Sequence, residues 1–176
     1  MTPRRLPAED AFLDVTSSWG VLRVTARGGK LRACFLPDLA GQPRRAFRLA
    51  RSRCVAAAAA DRRVLRQADR YLRALLAGRE QPVPNLAIPP AAPFVRRVWR
   101  ALQQLPRGAT ISYGDLARRL GGPRKARVVG QACRVNILPL FIPCHRVLAG
   151  DGSLGGFSAG RPWKRLLLER EQLGNG

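Results

Sequence analysis

From Val21 the chain alternates. In VLRVTARGGKLRACFL, Leu22, Val24 and Ala26 fall on one face, and Leu31, Ala33 and Phe35 do the same after Gly28-Gly29. Apolar residues at every second position predict two strands with one buried face, and the Gly-Gly pair predicts a tight hairpin loop between them. Pro37 and Gly41-Gln42-Pro43 mark a break in this β-rich first third. Val64, Ala68, Tyr71, Leu72, Leu75 and Leu76 then recur at helical spacing until Gly78. Gln81 to Pro93 holds five prolines. Repeated proline bars helix and limits sheet, so this stretch predicts a linker, with a domain boundary near residue 90.

The second half reads as helical. Phe94, Val95, Val98, Trp99, Leu102 and Leu105 form one apolar stripe, stopped by Pro106 and Gly108. ISYGDLARRLGG predicts a short helix, with Ser112 and Asp115 as its capping box. Gly121-Gly122 turns the chain. Pro123 suits the first turn of a further helix through ARVVGQACR. Helix, glycine turn and second helix form the helix-turn-helix pattern, and the second helix carries Arg124, Lys125, Arg127 and Arg134. Leu140-Phe141-Ile142 predicts a short buried strand running into PCHRV. A last helix is expected from about Pro162, with Trp163, Leu166, Leu167 and Arg170 on one face. The pattern thus divides the chain into an α/β unit over 1–90 and a mostly helical unit over 91–176.

Charge sharpens this picture. Among 176 residues, 32 Lys and Arg face 11 Asp and Glu, a formal net charge of +21. Such an excess repels itself in the folded state and points to a polyanionic partner, nucleic acid first and an acidic membrane surface second. A solvated arginine-rich surface is the plainer explanation. No secretory h-region follows Arg4 and Arg5, and the longest apolar run, Val55 to Ala60, is too short to span a bilayer. The expectation is a cytoplasmic, nucleoid-associated protein, with no membrane contact.

Cys34, Cys54, Cys133 and Cys144 are not spaced as metal ligands, and His145 is the only histidine. Four free thiols are expected, three of them inert packing residues, with no metal and no cofactor. Cys144 differs because it stands beside the lone His, after a rigid proline. A thiol with a pKa near ~8.5 needs local help to become a nucleophile. In extended chain, neighbouring side chains point apart, so a bridging water between Cys144 and His145 is plausible. Glu171 falls in the last turn of the final helix, where negative charge opposes the helix dipole. A specific partner such as the His145 N–H would explain it; an exposed surface Glu is the alternative.

PCHRV, with NILPLFI before it and DGSLGGFSAG after it, resembles the methylated-DNA–protein-cysteine methyltransferase family. The resemblance extends through RVWRALQQLPRGATISYGDLARRLGGPRKARVVGQA and WKRLLLERE, roughly residues 93 to 171. It implies an α+β fold: a small ribonuclease-H-like β-sheet with a helix, then a winged helix-turn-helix-like alkyltransferase domain. It implies a monomer that repairs double-stranded DNA containing O6-alkylguanine, moving the alkyl group once onto Cys144. His145 would deprotonate the thiol through water, and Glu171 would hold His145. Tyr113 would help extrude the nucleotide and donate to the base, and Arg127 would fill the gap in the stack. Asn136 would be the hinge before the active-site strand. Ser158 would offer a donor near O6, and the backbone at Cys144 and Val147 would read the guanine edge. Arg124, Lys125 and Arg134 would contact DNA. Ile137, Phe157 and Ala159 depart from the family pattern and bear on substrate range. Some relatives carry zinc in the first domain; the absence of histidine there predicts none. A sensor of alkylated DNA without transfer is the competing function, and Cys144 argues against it.

Overall fold

The computed structural model describes residues 11–37, 49–56 and 58–172, so Gly41-Gln42-Pro43 lies outside it. Four antiparallel strands, β1 (Ala11–Ser17), β2 (Gly20–Arg27), β3 (Lys30–Phe35) and β4 (Leu49–Val55), pair in the order β3-β2-β1-β4. The expected hairpin joins β2 to β3. Gly28 and Gly29 have φ of 61° and 71°, the left-handed geometry that a two-residue turn of this kind requires.

The alternation in β3 is interrupted. Thr25 pairs with Ala33 but Ala26 pairs with Leu31, leaving Arg32 as an extra residue in a bulge. Leu31 and Cys34 therefore turn inward, while Phe35, expected inside, is 37% exposed. One inserted residue reverses the face of everything beyond it. Strands β1 and β4 were not anticipated, although Leu13, Val15 and Ser17 alternate as buried positions. Cys54 lies exposed on edge strand β4 and is not a packing residue.

Helix α1 (Ala59–Leu76) packs on the sheet through Val64, Leu65, Ala68 and Leu72. It ends at Gly78, with Gly78 N–H donating to Leu75 O and Arg79 N–H to Ala74 O, which satisfies the terminal carbonyls. The proline-rich stretch is not free. Leu31 N–H donates to Asn85 O and Ala87 N–H to Leu31 O, both at 2.8 Å, so it runs along the edge of β3.

The second half comprises α2 (Pro93–Gln104), β5 (Ile111–Ser112), α3 (Tyr113–Arg119), α4 (Ala126–Arg134), β6 (Val147–Leu148) and α5 (Arg161–Gln172). Ser112 caps α3, accepting from Asp115 N–H at 3.0 Å and donating to the Asp115 carboxylate. Helix α4 packs on α2 and α3, and Trp99 Nε1 donates to Ala132 O at 2.9 Å. Pro123 belongs to the turn before α4, not to its first turn, because the chain still closes from Lys125 N–H to Gly122 O. Leu140-Phe141-Ile142 is fully buried but is not a strand. Phe141 and Ile142 N–H both donate back to Leu138 O, folding the run into a turn. The strand comes later, where β6 pairs in parallel with β5.

A continuous apolar core joins the two halves. Tyr71 Oη donates to Leu140 O at 3.1 Å, Cys34 N–H to Ile137 O at 2.7 Å, and Trp163 Nε1 to Pro37 O at 3.0 Å. Among the described residues no helix is long and apolar enough to cross a membrane.

Candidate active site

Cys144 opens a 3-10 turn, Cys144–Arg146, between the buried Leu140–Ile142 turn and β6. Cys144 lines a cleft of about 670 Å3 with Tyr113, Cys133, Arg134, Phe157 and Ser158. That volume falls within the range of small-molecule sites, about 300–1,000 Å3. The thiol is 2% exposed. Burial pushes its pKa up to about 11, opposed by a hydrogen bond from Asn136 and the positive charge of Lys164. A thiol so placed is protonated at neutral pH and needs a base.

Asn136 follows α4 and is held by the turn it helps to build. Its Oδ1 accepts from Leu138 N–H at 3.0 Å, and its Nδ2 donates to Ile142 O at 2.9 Å and to Cys144 Sγ at 3.2 Å. The neighbouring Ile137 is 39% exposed, while its carbonyl is tied to β3.

The residue after Cys144 belongs to a buried pair. His145 Nε2 is 2.8 Å from Glu171 Oε1, and both side chains are inaccessible to solvent. Glu171 also accepts from the Arg146 guanidinium and from Gly108 N–H at 3.0 Å. Although burial raises its pKa, bonds from His145 and Arg146 prevail and hold it down at about 2. An ionised carboxylate only accepts, so His145 carries its proton on Nε2. His145 Nδ1 is then a lone pair, buried and without a protein partner. Burial lowers the pKa of the ring against the opposing pull of Glu171. The lowered pKa favours the neutral ring, and Nδ1 is the nitrogen left to accept.

Lys164 on α5 is fully buried, and burial lowers its pKa. Its Nζ donates to Val147 O at 2.6 Å, Leu154 O, and Gly156 O at 3.3 Å, pinning the loop before Phe157 and Ser158 to β6. Gly155 has φ of 61°, which favours glycine, and a Cβ there would stand a tight 3.3 Å from the Tyr113 ring. Burial raises the Tyr113 hydroxyl to about 12, which keeps it a donor.

Tyr113, Arg134, Cys144 and Ser158 therefore meet in one cleft, Asn136 is hydrogen-bonded to its thiol, and His145 and Glu171 are paired and buried outside the lining. Arg124, Lys125 and Arg127 are exposed along α4 and the turn before it, outside the cleft lining. Val147 is buried, with its carbonyl on Lys164. Sequence reasoning missed Arg146 and Lys164 as site residues. Cys133 packs in the core as expected and also lines the cleft. A buried Lys within an apolar helix face was the available signal.

The structure thus presents a buried thiol in a cleft that Arg134 of α4 also lines, beside the exposed Arg124, Lys125 and Arg127. Residues 93–173 match the family model of the 6-O-methylguanine DNA methyltransferase DNA-binding domain. The methylated-DNA–protein-cysteine methyltransferase of Methanosarcina acetivorans is 37% identical over 106 residues, 60% of this chain and 68% of that protein. The constitutive enzyme of that name from Bacillus subtilis is 36% identical, over 62% of this chain and 67% of its own length. The Mycobacterium tuberculosis OGT structure in complex with DNA superposes with a TM-score of 0.72, at 29% identity and 92% coverage of each chain. The chain belongs to the methylated-DNA–protein-cysteine methyltransferase family.

Proposed function

We propose that this protein repairs double-stranded DNA by moving the alkyl group of O6-alkylguanine onto Cys144, once per molecule. The observation that carries the reading is the cleft thiol of Cys144, hydrogen-bonded by Asn136 and followed in the chain by His145, which Glu171 holds through Nε2 with Nδ1 unpaired among the described residues. Its relatives and its family model are named for this reaction.

The chemistry balances without a cofactor. His145 takes the Cys144 proton through a water, and Asn136 Nδ2 and Lys164 stabilise the thiolate. Sulfur attacks the alkyl carbon, the S–C bond forms, and the C–O6 bond breaks with its electron pair going to guanine. The Tyr113 hydroxyl and Ser158 donate to the charge developing on the base, and a proton returned from His145 leaves a neutral guanine. A thioether is left on Cys144, and nothing in the site hydrolyses it.

A base inside the duplex cannot reach a buried thiol, so the nucleotide is extruded into the cleft. Exposed Arg127 on α4 suits the vacated stack, because a planar guanidinium stacks on bases. Arg124, Lys125 and Arg134 contact phosphates, and Val147 positions the base edge through its backbone. In this reading residues 1–90 form a ribonuclease-H-like unit. Residues 91–176 form a winged helix-turn-helix-like unit, with α4 as the recognition helix, and the protein acts as a monomer.

Incubation with a duplex carrying O6-methylguanine should add one methyl, found by peptide mass on Cys144. Cys144→Ser should bind the duplex and accept nothing. Transfer to Cys133 in that variant, or tight binding by the natural chain with no adduct, overturns the reading; the second result makes the protein a sensor.

A further inference from the structure

Helix α1 turns its apolar face to the sheet and α5, and its outer face is basic. Arg62, Arg63, Arg66 and Arg70 are exposed along it, and exposed Arg79 follows just past its end. Arg73 is tied to Asp69 and Ser52, and Arg62 donates to Ala56 O at 2.9 Å. Among the described residues no ion pair involves Arg63, Arg66 or Arg70. Spacings of three and four place these three side chains next to one another on one helix face, where like charges are destabilising. A row of anions laid along them turns that repulsion into attraction.

The row continues into a groove. Gln67 and Arg70 form one wall, and the proline-rich segment forms the other with exposed Gln81 and Asn85, around a volume of about 210 Å3. The remaining lining residues are Pro82, Val83 and Pro84, so no carboxylate lines it. The segment is fixed to β3 through the backbone of Asn85 and Ala87, so little further order is lost when a ligand binds. Guanidinium and amide donors of this kind suit phosphate and sugar oxygens. The groove and the arginine row lie outside 93–173, the stretch that matches the DNA-binding domain, and no lining residue is shared with the cleft. A lipid surface fits less well. A helix lying on a membrane buries an apolar face in it, and the apolar face of α1 is already buried on the sheet.

We propose that the outer face of α1, with this groove, binds the backbone of a second segment of duplex DNA without reading its sequence. A chain engaged at its cleft then also holds neighbouring DNA.

The test is sedimentation of the full chain with an excess of short undamaged duplex at low salt. The natural chain is expected to carry two duplexes. Arg63→Gln/Arg66→Gln/Arg70→Gln should carry one, with second binding weakened at least about tenfold. Arg63→Lys/Arg66→Lys/Arg70→Lys should keep the second duplex, because neutralising phosphates needs the charge. Glu80→Gln, beside the groove, should tighten it. Methyl transfer from an O6-methylguanine duplex should be unchanged in all three variants. One duplex on the natural chain, two on the triple Gln variant, or displacement of the second duplex by phosphatidylserine vesicles at equal phosphate concentration overturns the proposal. Two duplexes bound by a natural chain that transfers no methyl would sink the repair reading and leave this surface standing.

Discussion

Glu171 joins three parts of the fold around the candidate site. It accepts from His145, Arg146 and Gly108, drawing the 3-10 turn, the turn after α2 and α5 together. Its folded pKa of about 2 lies below the ordinary 4.5. A depressed carboxylate contributes stability that is fully present above its unfolded pKa and is lost as pH falls through the folded one. The unfolding free energy should therefore drop between about pH 4.5 and about pH 2, by on the order of 3 kcal/mol from this group. Urea titrations across that window should show the slope in the natural protein and its loss in Glu171→Gln. A natural protein whose urea midpoint is flat there would show that the carboxylate is not held ionised. Asn136 makes a separate contribution, since its hydrogen bond lowers the pKa of a thiol that burial raises to about 11. Hydrogen bonds to charged groups contribute about 1.5–3 kcal/mol, so Asn136→Ala should slow transfer roughly 10- to 100-fold at neutral pH. The rate should recover as pH rises, which a purely structural defect would not allow.

The elements differ in how legible they were. The α1 and α2 stripes could be read because burial on one helix face imposes a period that the residues themselves display, and α3 could be read from its Ser112 cap. The Gly28-Gly29 turn could be read because its φ values exclude most other residues. The bulge at Arg32 could not, since an extra residue leaves no mark on an alternating pattern. Leu140-Phe141-Ile142 misled for a related reason. A buried apolar run looks the same whether it is extended or, as here, folded back onto Leu138 O. The pairing of Glu171 with His145 was half visible as a charge at the wrong end of a helix, whereas Arg146 and Lys164 depend on contacts far along the chain. Lys164 joins α5, β6 and the loop at 154–156 through three carbonyls. Lys164→Met keeps most of the volume and removes the donors. It should destabilise the fold by about 2 kcal/mol, since buried carbonyls lose a charged partner. Amide exchange should rise selectively at residues 154–158, and unchanged protection there would show that the loop is held by other contacts.

At the scale of the whole molecule, the surplus of positive charge and the shared core pull in opposite directions. Thirty-two basic side chains repel one another, and among the described residues three of the few acidic groups form local pairs: Asp14 with Arg23, Asp69 with Arg73, Asp115 with Arg118. Pairs at or near the surface are screened by solvent and salt, so they do not offset the repulsion. The apolar core running from β1 to α5 holds the fold against it. The same surplus becomes favourable when phosphates displace their counterions onto solvent. Duplex affinity should therefore fall steeply with salt. If α4, the turn before it and their surroundings neutralise 6–10 phosphates, the loss is on the order of 10³–10⁵ between 50 and 200 mM. Replacing Arg124 and Lys125 together by Gln should reduce the logarithmic slope by about two, with equal loss on damaged and undamaged duplex. Arg127→Ala should instead cost more on duplex carrying O6-methylguanine, because stacking in the gap matters only when a base has left it. Fluorescence anisotropy on both duplexes over a salt series separates the two behaviours. Equal losses for Arg127→Ala on both duplexes would assign that residue to the phosphates and leave the vacated stack to another side chain.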